Sequence, residues 1–221
     1  MNPGTQKLWR AFLSLLPLLP LLPLPLCASD AASVTYRRVF KFSSPEFIEI
    51  KARESGGATY DIRQLDEPPS PQPFEIGGPL RAKIFELAAQ LNYFRDLQLE
   101  VRRRIANLGE KTFRYERGGA AHEVSFNYTI NATANQLMMI FEGLARQQEH
   151  LMKLQRRMKY DRLGVNEALL QFESDLNRKI LPEPERLLPV LEQISNDPRF
   201  VEIARQRARA LAERIRTAQE R

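Results

Sequence analysis

A change of period divides this chain. From Tyr36 to Ile130 the apolar residues mostly alternate, and from Thr133 onward they recur at intervals of three and four. Alternation puts every second side chain on one face of a strand, whereas a three-and-four rhythm keeps one stripe of a helix on the same side. Strands gathered first and helices gathered after them give an α+β chain, because a parallel α/β sheet needs the two kinds of element interleaved.

In YRRVFKF, Tyr36, Arg38, Phe40 and Phe42 share a face, and Ser43-Ser44-Pro45 supplies a turn. Ile48, Ile50 and Ala52 then alternate with Phe47, Glu49 and Lys51; Ser55-Gly56-Gly57 reverses the chain, and Tyr60 and Ile62 continue on one side. Three antiparallel strands are expected. EPPSPQP, residues 67–73, reads as a stiff extended connection, since prolines have no N–H to give a sheet interior. Its Pro68-to-Pro71 spacing also suits a polyproline-binding partner, though a plain loop accounts for it. Pro79 fits the first turn of a helix whose stripe is Leu80, Ile84, Leu87, Leu91 and Phe94. Arg102, Arg103 and Arg104 read as a solvated run. In KTFRYERGGAAHEVSFNYTI, Phe113 and Tyr115 face Val124, Phe126, Tyr128 and Ile130 across Gly118-Gly119, a hairpin.

The later half contains a long helix with Leu137, Ile140, Leu144, Leu151, Leu154 and Met158 in near-heptad, coiled-coil-like register, Gln147 filling one polar slot. Gly164 ends it. A second helix, about Asn166 to Ile180, stacks Val165, Leu169, Phe172, Leu176 and Ile180, and the two seams are expected to pack as a helical hairpin. After Pro182 and Pro184 come a short helix with Leu187, Leu191 and Ile194, then a last one opened by Asn196-Asp197-Pro198 and aligned on Phe200, Ala204, Ala208, Leu211 and Ile215. The expected plan is an antiparallel sheet of about five strands, β-β-β-α-β-β, covered by helices on one face and extended by the hairpin and tail. The boundaries read as 1–29, an export signal; 34–147, the α+β domain; and 148–221, a helical extension.

The opening carries Lys7 and Arg10, a Leu-rich run from Ala11 to Leu26, and then small residues, the order of a cleaved secretory signal. Pro17, Pro20, Pro23 and Pro25 interrupt the run, so a single membrane span is the weaker reading. Cys27 raises lipidation, but Leu26 stands where a small residue belongs. Cleavage fits between Ser29 and Asp30, and almost as well between Ala31 and Ala32. Removing 29 of the 221 residues leaves 192 with no cysteine, hence no disulfide and no thiol chemistry. Loss of Lys7 and Arg10 lowers the formal net charge from +6 to +4. A periplasmic or secreted location follows, with no stable span after cleavage, and nothing resembles a nucleic-acid motif.

No residue pattern marks an active site. His122 and His150, the only histidines, lack metal-ligand spacing and read as surface groups. Glu173 and Asp175 precede Arg178 and Lys179 and read as helix-surface pairs. No catalytic, cofactor-binding or metal-ligating residue is assigned, and no cofactor is expected. The last helix is the most unusual surface: seven arginines, no lysine and four acids from Asp197 to Arg221. A solvated face around an alanine stripe accounts for it; the functional alternative makes Arg205, Arg207, Arg209, Arg214 and Arg216 a surface for an acidic protein or an anionic envelope component.

In FKFSSPEFIEIKARESGGATYDIRQ, LRAKIFELAAQLNYF, the hairpin and NQLMMIFEGLA, the segment 34–147 resembles in plan the emfourin-like small exported bacterial domains, one of which inhibits a protease. The resemblance implies a fold plan and carries over no inhibitory residue. The function expected is a non-catalytic exported module that binds a protein or envelope component, a protease inhibitor being one specific form. The alternatives are a carboxylate-dependent hydrolase and a structural envelope protein.

Overall fold

The computed structural model describes residues 31–219; the expected export signal, Cys27 and the expected cleavage bond between Ser29 and Asp30 lie outside them. The first three strands are β1 (Ser33–Val39), β2 (Phe47–Arg53) and β3 (Ala58–Arg63), followed by β4 (Gln72–Phe74), α1 (Gly78–Gln90), β5 (Glu110–Arg117) and β6 (Ala120–Phe126). All six strands form one sheet in the order β4-β3-β2-β1-β5-β6, every neighbour antiparallel. The sheet therefore has one strand more than the sequence suggested. β4 comes out of the proline-rich connection, pairing Thr59 with Pro73 and Ala58 with Phe74 at the sheet edge, where a residue without an N–H is tolerated.

The register puts Val34 and Tyr36 of β1, Ile50 and Ala52 of β2, and Phe113 and Tyr115 of β5 on one face. That face is buried under α1 and the first half of α2 (Ala132–Tyr160). Tyr36 stacks on Phe141 of α2 at 5.6 Å, and Phe113 contacts the rings of Tyr36, Phe94 and Phe126 at 5.4 to 5.6 Å. The opposite face carries a cross-strand charge ladder: Arg114 bonds Glu123 and Glu116, and Glu116 bonds Lys51. Gly118 and Gly119 both take positive φ, the backbone a two-residue hairpin turn requires.

Several expectations are corrected locally. β1 stops at Val39, so Phe42, at φ 67, is 98% exposed in the turn instead of on the strand face. Phe94 does not continue the α1 stripe: α1 ends at Gln90, and a left-handed turn with positive φ at Asn92, Tyr93 and Phe94 carries Phe94 into the core. Ile130 lies beyond β6 and is exposed.

α2 runs 29 residues and belongs to two cores. Its N-terminus is capped by Asn131, whose side chain accepts from the Ala134 N–H at 2.9 Å. Residues up to Ala145 pack on the sheet, whereas Leu154 joins a second cluster with α3 (Val165–Asn177), α4 (Leu188–Asn196) and α5 (Glu202–Gln219). α2 and α3 form the expected helical hairpin. α3 stops at Asn177, leaving Ile180 outside its stripe, and Pro198 lies in a turn before α5. Gly164 is the residue preceding α3; α2 already ends at Tyr160. The α5 stripe Ala204, Ala208, Leu211 and Ile215 is buried with Phe200 as the spacing implied.

Candidate functional site

One stripe of α2 is not used by either core. Gln136, Met139, Gly143, Arg146, Glu149, Lys153, Arg156 and Tyr160 recur at intervals of three and four and line a groove along the helix, beside Ile140, which packs partly against the sheet core. Two compartments share Ser44, Pro45, Arg146 and Glu149. The larger, about 1030 Å³, lies between α2 and the end of β3 and holds Arg63, Lys153, Arg156 and Arg157. The smaller, about 540 Å³, is walled by Ile48 of β2, by Met139 and Ile140 of α2, and by Ile180 and Pro182 after α3.

The smaller compartment exists because α2 has a glycine at position 143. A Cβ there would lie 2.5 Å from the Ile180 carbonyl oxygen and 2.9 Å from Cδ of Pro182. Only the bare backbone lets the segment after α3 lie against α2.

The charged side chains are tethered in sequence along the groove. Glu142 accepts from the Tyr36 hydroxyl at 2.5 Å and from Arg38 Nη1 at 2.9 Å. Burial, and next the adjacent Glu142 carboxylate, push the Tyr36 hydroxyl far above its ordinary range, so it stays a proton donor. Arg146 pairs with Glu149 at 3.2 Å and reaches Asp175 of α3 at 3.7 Å. Burial raises the Glu149 carboxyl above its ordinary value, with Arg146 opposing. Lys153 bonds the neutral Gln171 at 2.5 Å. Neither Lys153, Arg156 nor Lys179 has a carboxylate partner among the described residues.

His150 is not a surface group. It is 6% exposed, its Nε2 lies 2.9 Å from Oδ2 of Asp175, and its ring meets Phe172 edge-on at 5.5 Å. Burial lowers its pKa, and the Asp175 contact only partly opposes that. Asp175 is thus a partner of a buried histidine as well as of surface arginines. His122 is on the exposed part of β6 beside Arg95 at 3.2 Å.

Three of the five arginines named on the last helix hold helices together, and a fourth pairs within its own helix. Arg207 and Arg214 converge on Glu173 of α3 at 2.8 and 3.1 Å, Arg216 bridges Glu192 of α4 and Glu213, and Arg205 pairs with Glu202. Arg209 is exposed. Arg102, Arg103 and Arg104 are exposed in the connection before β5. Among the described residues no group of three or more His, Cys, Asp or Glu is placed to hold a metal ion, and no helix is long and apolar enough to cross a membrane.

Glu142, Arg146 and Glu149 were not singled out from the sequence, and Lys179, read there as one of a helix-surface pair, lies past the end of α3 with no carboxylate partner among the described residues. The signal was present: the α2 stripe opposite Leu137 and Leu144 keeps the same period. From Arg146 to Arg156 its residues are charged, and a charged stripe reads as solvent until the segments that roof it are known. No protein-family model and no curated protein matches the chain.

Proposed function

We propose that this chain is an exported, non-catalytic module that binds another protein or an anionic envelope component, and that the contact is made in the groove along α2. The observation that carries this is the pairing of unneutralised cations, Lys153, Arg156 and Lys179, with a concave surface whose smaller compartment has one apolar wall of Ile48, Met139, Ile140 and Ile180. Concave apolar surface with a few fixed polar groups is the usual form of a binding site. Export rests on residues 1–29 alone, and a protease inhibitor is one specific form of the module.

Crosslinked capture from an envelope extract tests it. Wild-type protein is expected to retain a near-stoichiometric partner, with crosslinked peptides from α2, and the Lys153→Glu/Arg156→Glu double variant to lose it at unchanged melting temperature. Equal capture by both proteins removes the groove from the reading. Incubation with a panel of secreted proteases tests the inhibitor form, which fails if all stay active at large molar excess.

A second reading, a carboxylate-dependent hydrolase, draws support from Glu149, whose raised carboxyl suits a general acid beside the tethered Glu142. Against it, two turns of helix separate the pair by about 10.5 Å along the axis. Turnover in a hydrolase screen that disappears in Glu149→Gln would favour this reading over the binding module.

A further inference from the structure

We infer that the smaller compartment captures the C-terminal carboxylate of an extended peptide with apolar last residues, held by Lys179 and Arg178. This rests on the groove reading above and names what enters it.

α3 ends in a Schellman motif: the Lys179 N–H donates to the Leu176 carbonyl at 3.1 Å and the Ile180 N–H to the Asp175 carbonyl at 3.4 Å. Lys179 therefore sits at φ 55, the left-handed position where glycine is favoured because it has no Cβ to clash. A lysine in that place is an outlier, and it stands at the wall of the smaller compartment. Its ammonium has no carboxylate partner among the described residues. Arg178 beside it is mostly exposed and only 3.9 Å from Asp175. Across the compartment Arg38 adds a buried Nε with no hydrogen-bond partner among the described residues.

The floor fits apolar side chains. Ile48, Ile140 and Ile180 line it, and Met139 is 66% exposed at its edge. Cations at one end and an apolar wall beyond them fit a carboxylate joined to an apolar segment, which is how a chain terminus is recognised. A fatty acid offers the same two features, but Ser44, Gln136, Glu142 and the Arg146–Glu149 pair interrupt the apolar lining. Polar groups along the lining suit the backbone amides of a peptide, whereas an alkyl chain would strip them of water without replacing it.

The test is fluorescence polarisation with a labelled pentapeptide mixture, its last three residues randomised over Ala, Val, Leu, Ile, Phe and Met, as free acid and as amide. The free acid is expected to bind saturably and the amide at least about tenfold more weakly. Lys179→Gly is expected to weaken the acid about tenfold while its melting temperature equals or exceeds that of the wild type, since glycine fits the backbone there. Equal binding of acid and amide, an unchanged affinity in Lys179→Gly, or binding of a labelled decanoate where no peptide binds would each overturn the inference. If the peptides fail while capture still depends on Lys153 and Arg156, only this inference falls. If capture fails as well, the groove reading falls with it.

Discussion

The carboxylate of Glu183 accepts a 2.7 Å hydrogen bond from the backbone N–H of Gly77, across 106 residues of sequence. Gly77 is the residue that opens α1, so a carboxylate from the helical extension caps a helix of the sheet domain, where the exposed N–H groups favour negative charge. The Glu183 N–H in turn donates to Oε1 of Gln147 at 3.1 Å. Gln147, 1% exposed, lies in α2 between the two apolar cores. The polar slot in the α2 seam is thus half of a joint.

Glu183→Ala is expected to cost about 1 kcal/mol in urea denaturation, because the half-buried Gly77 N–H loses its acceptor. Glu183→Gln keeps an acceptor and should lose less. Equal stability of the alanine variant would show that the joint contributes nothing.

Burial raises the Glu183 carboxyl above its ordinary value. The folded state then holds this proton at a pH where the unfolded chain has released it, so this group's contribution declines as pH rises from the unfolded value to the folded one. Glu183→Gln should flatten that part of the stability profile. A profile identical to wild type would contradict the burial effect.

Gly143→Ala is expected to destabilise by about 1–3 kcal/mol, the cost of overpacking against backbone that cannot rotate away. It should also shift the segment after α3 and change the smaller compartment. A melting temperature unchanged from wild type would mean that Ile180 and Pro182 do not lie as close to α2 as described.

His150 works in the opposite direction to Glu183. Its folded pKa is depressed by burial, so on acidification the unfolded chain takes up a proton that the folded protein resists. Stability should fall as pH drops through and below the ordinary histidine value. Urea midpoints compared across that range should show a smaller fall in His150→Gln, which keeps a polar partner for Asp175.

Replacing Arg207 and Arg214 by alanine should lower stability by less than about 1 kcal/mol each, since both pairs with Glu173 are partly exposed. Partner capture should be unchanged, because their guanidinium groups hold α5 to α3. Capture that is lost in this variant and kept in Lys153→Glu/Arg156→Glu would move the binding surface to α5.

Much of this architecture is local information. The Ile48/Ile50/Ala52 alternation, the Gly118-Gly119 turn and the α5 stripe from Ala204 to Ile215 each follow from the period of one short segment, and each is where that period puts it. Period also separates strands from helices along the whole chain, and so yields the α+β class. What it does not carry is the identity of the neighbour. The edge strand Gln72–Phe74 exists because β3 offers it a partner, and Phe94 is buried because a left-handed turn aims it at Phe113. His150 looked like a solvated residue on a charged stripe, yet α3 closes over it with Phe172 and Asp175. The groove has the same origin: its stripe is written in α2, but its roof comes from the turn before β2, the end of β3 and the segment after α3. Sequence alone determined which residues share a face, because that depends on backbone geometry over a few residues. Tertiary structure decided which faces are covered and which polar atoms lose water, because burial is set by segments brought together across about a hundred residues of chain.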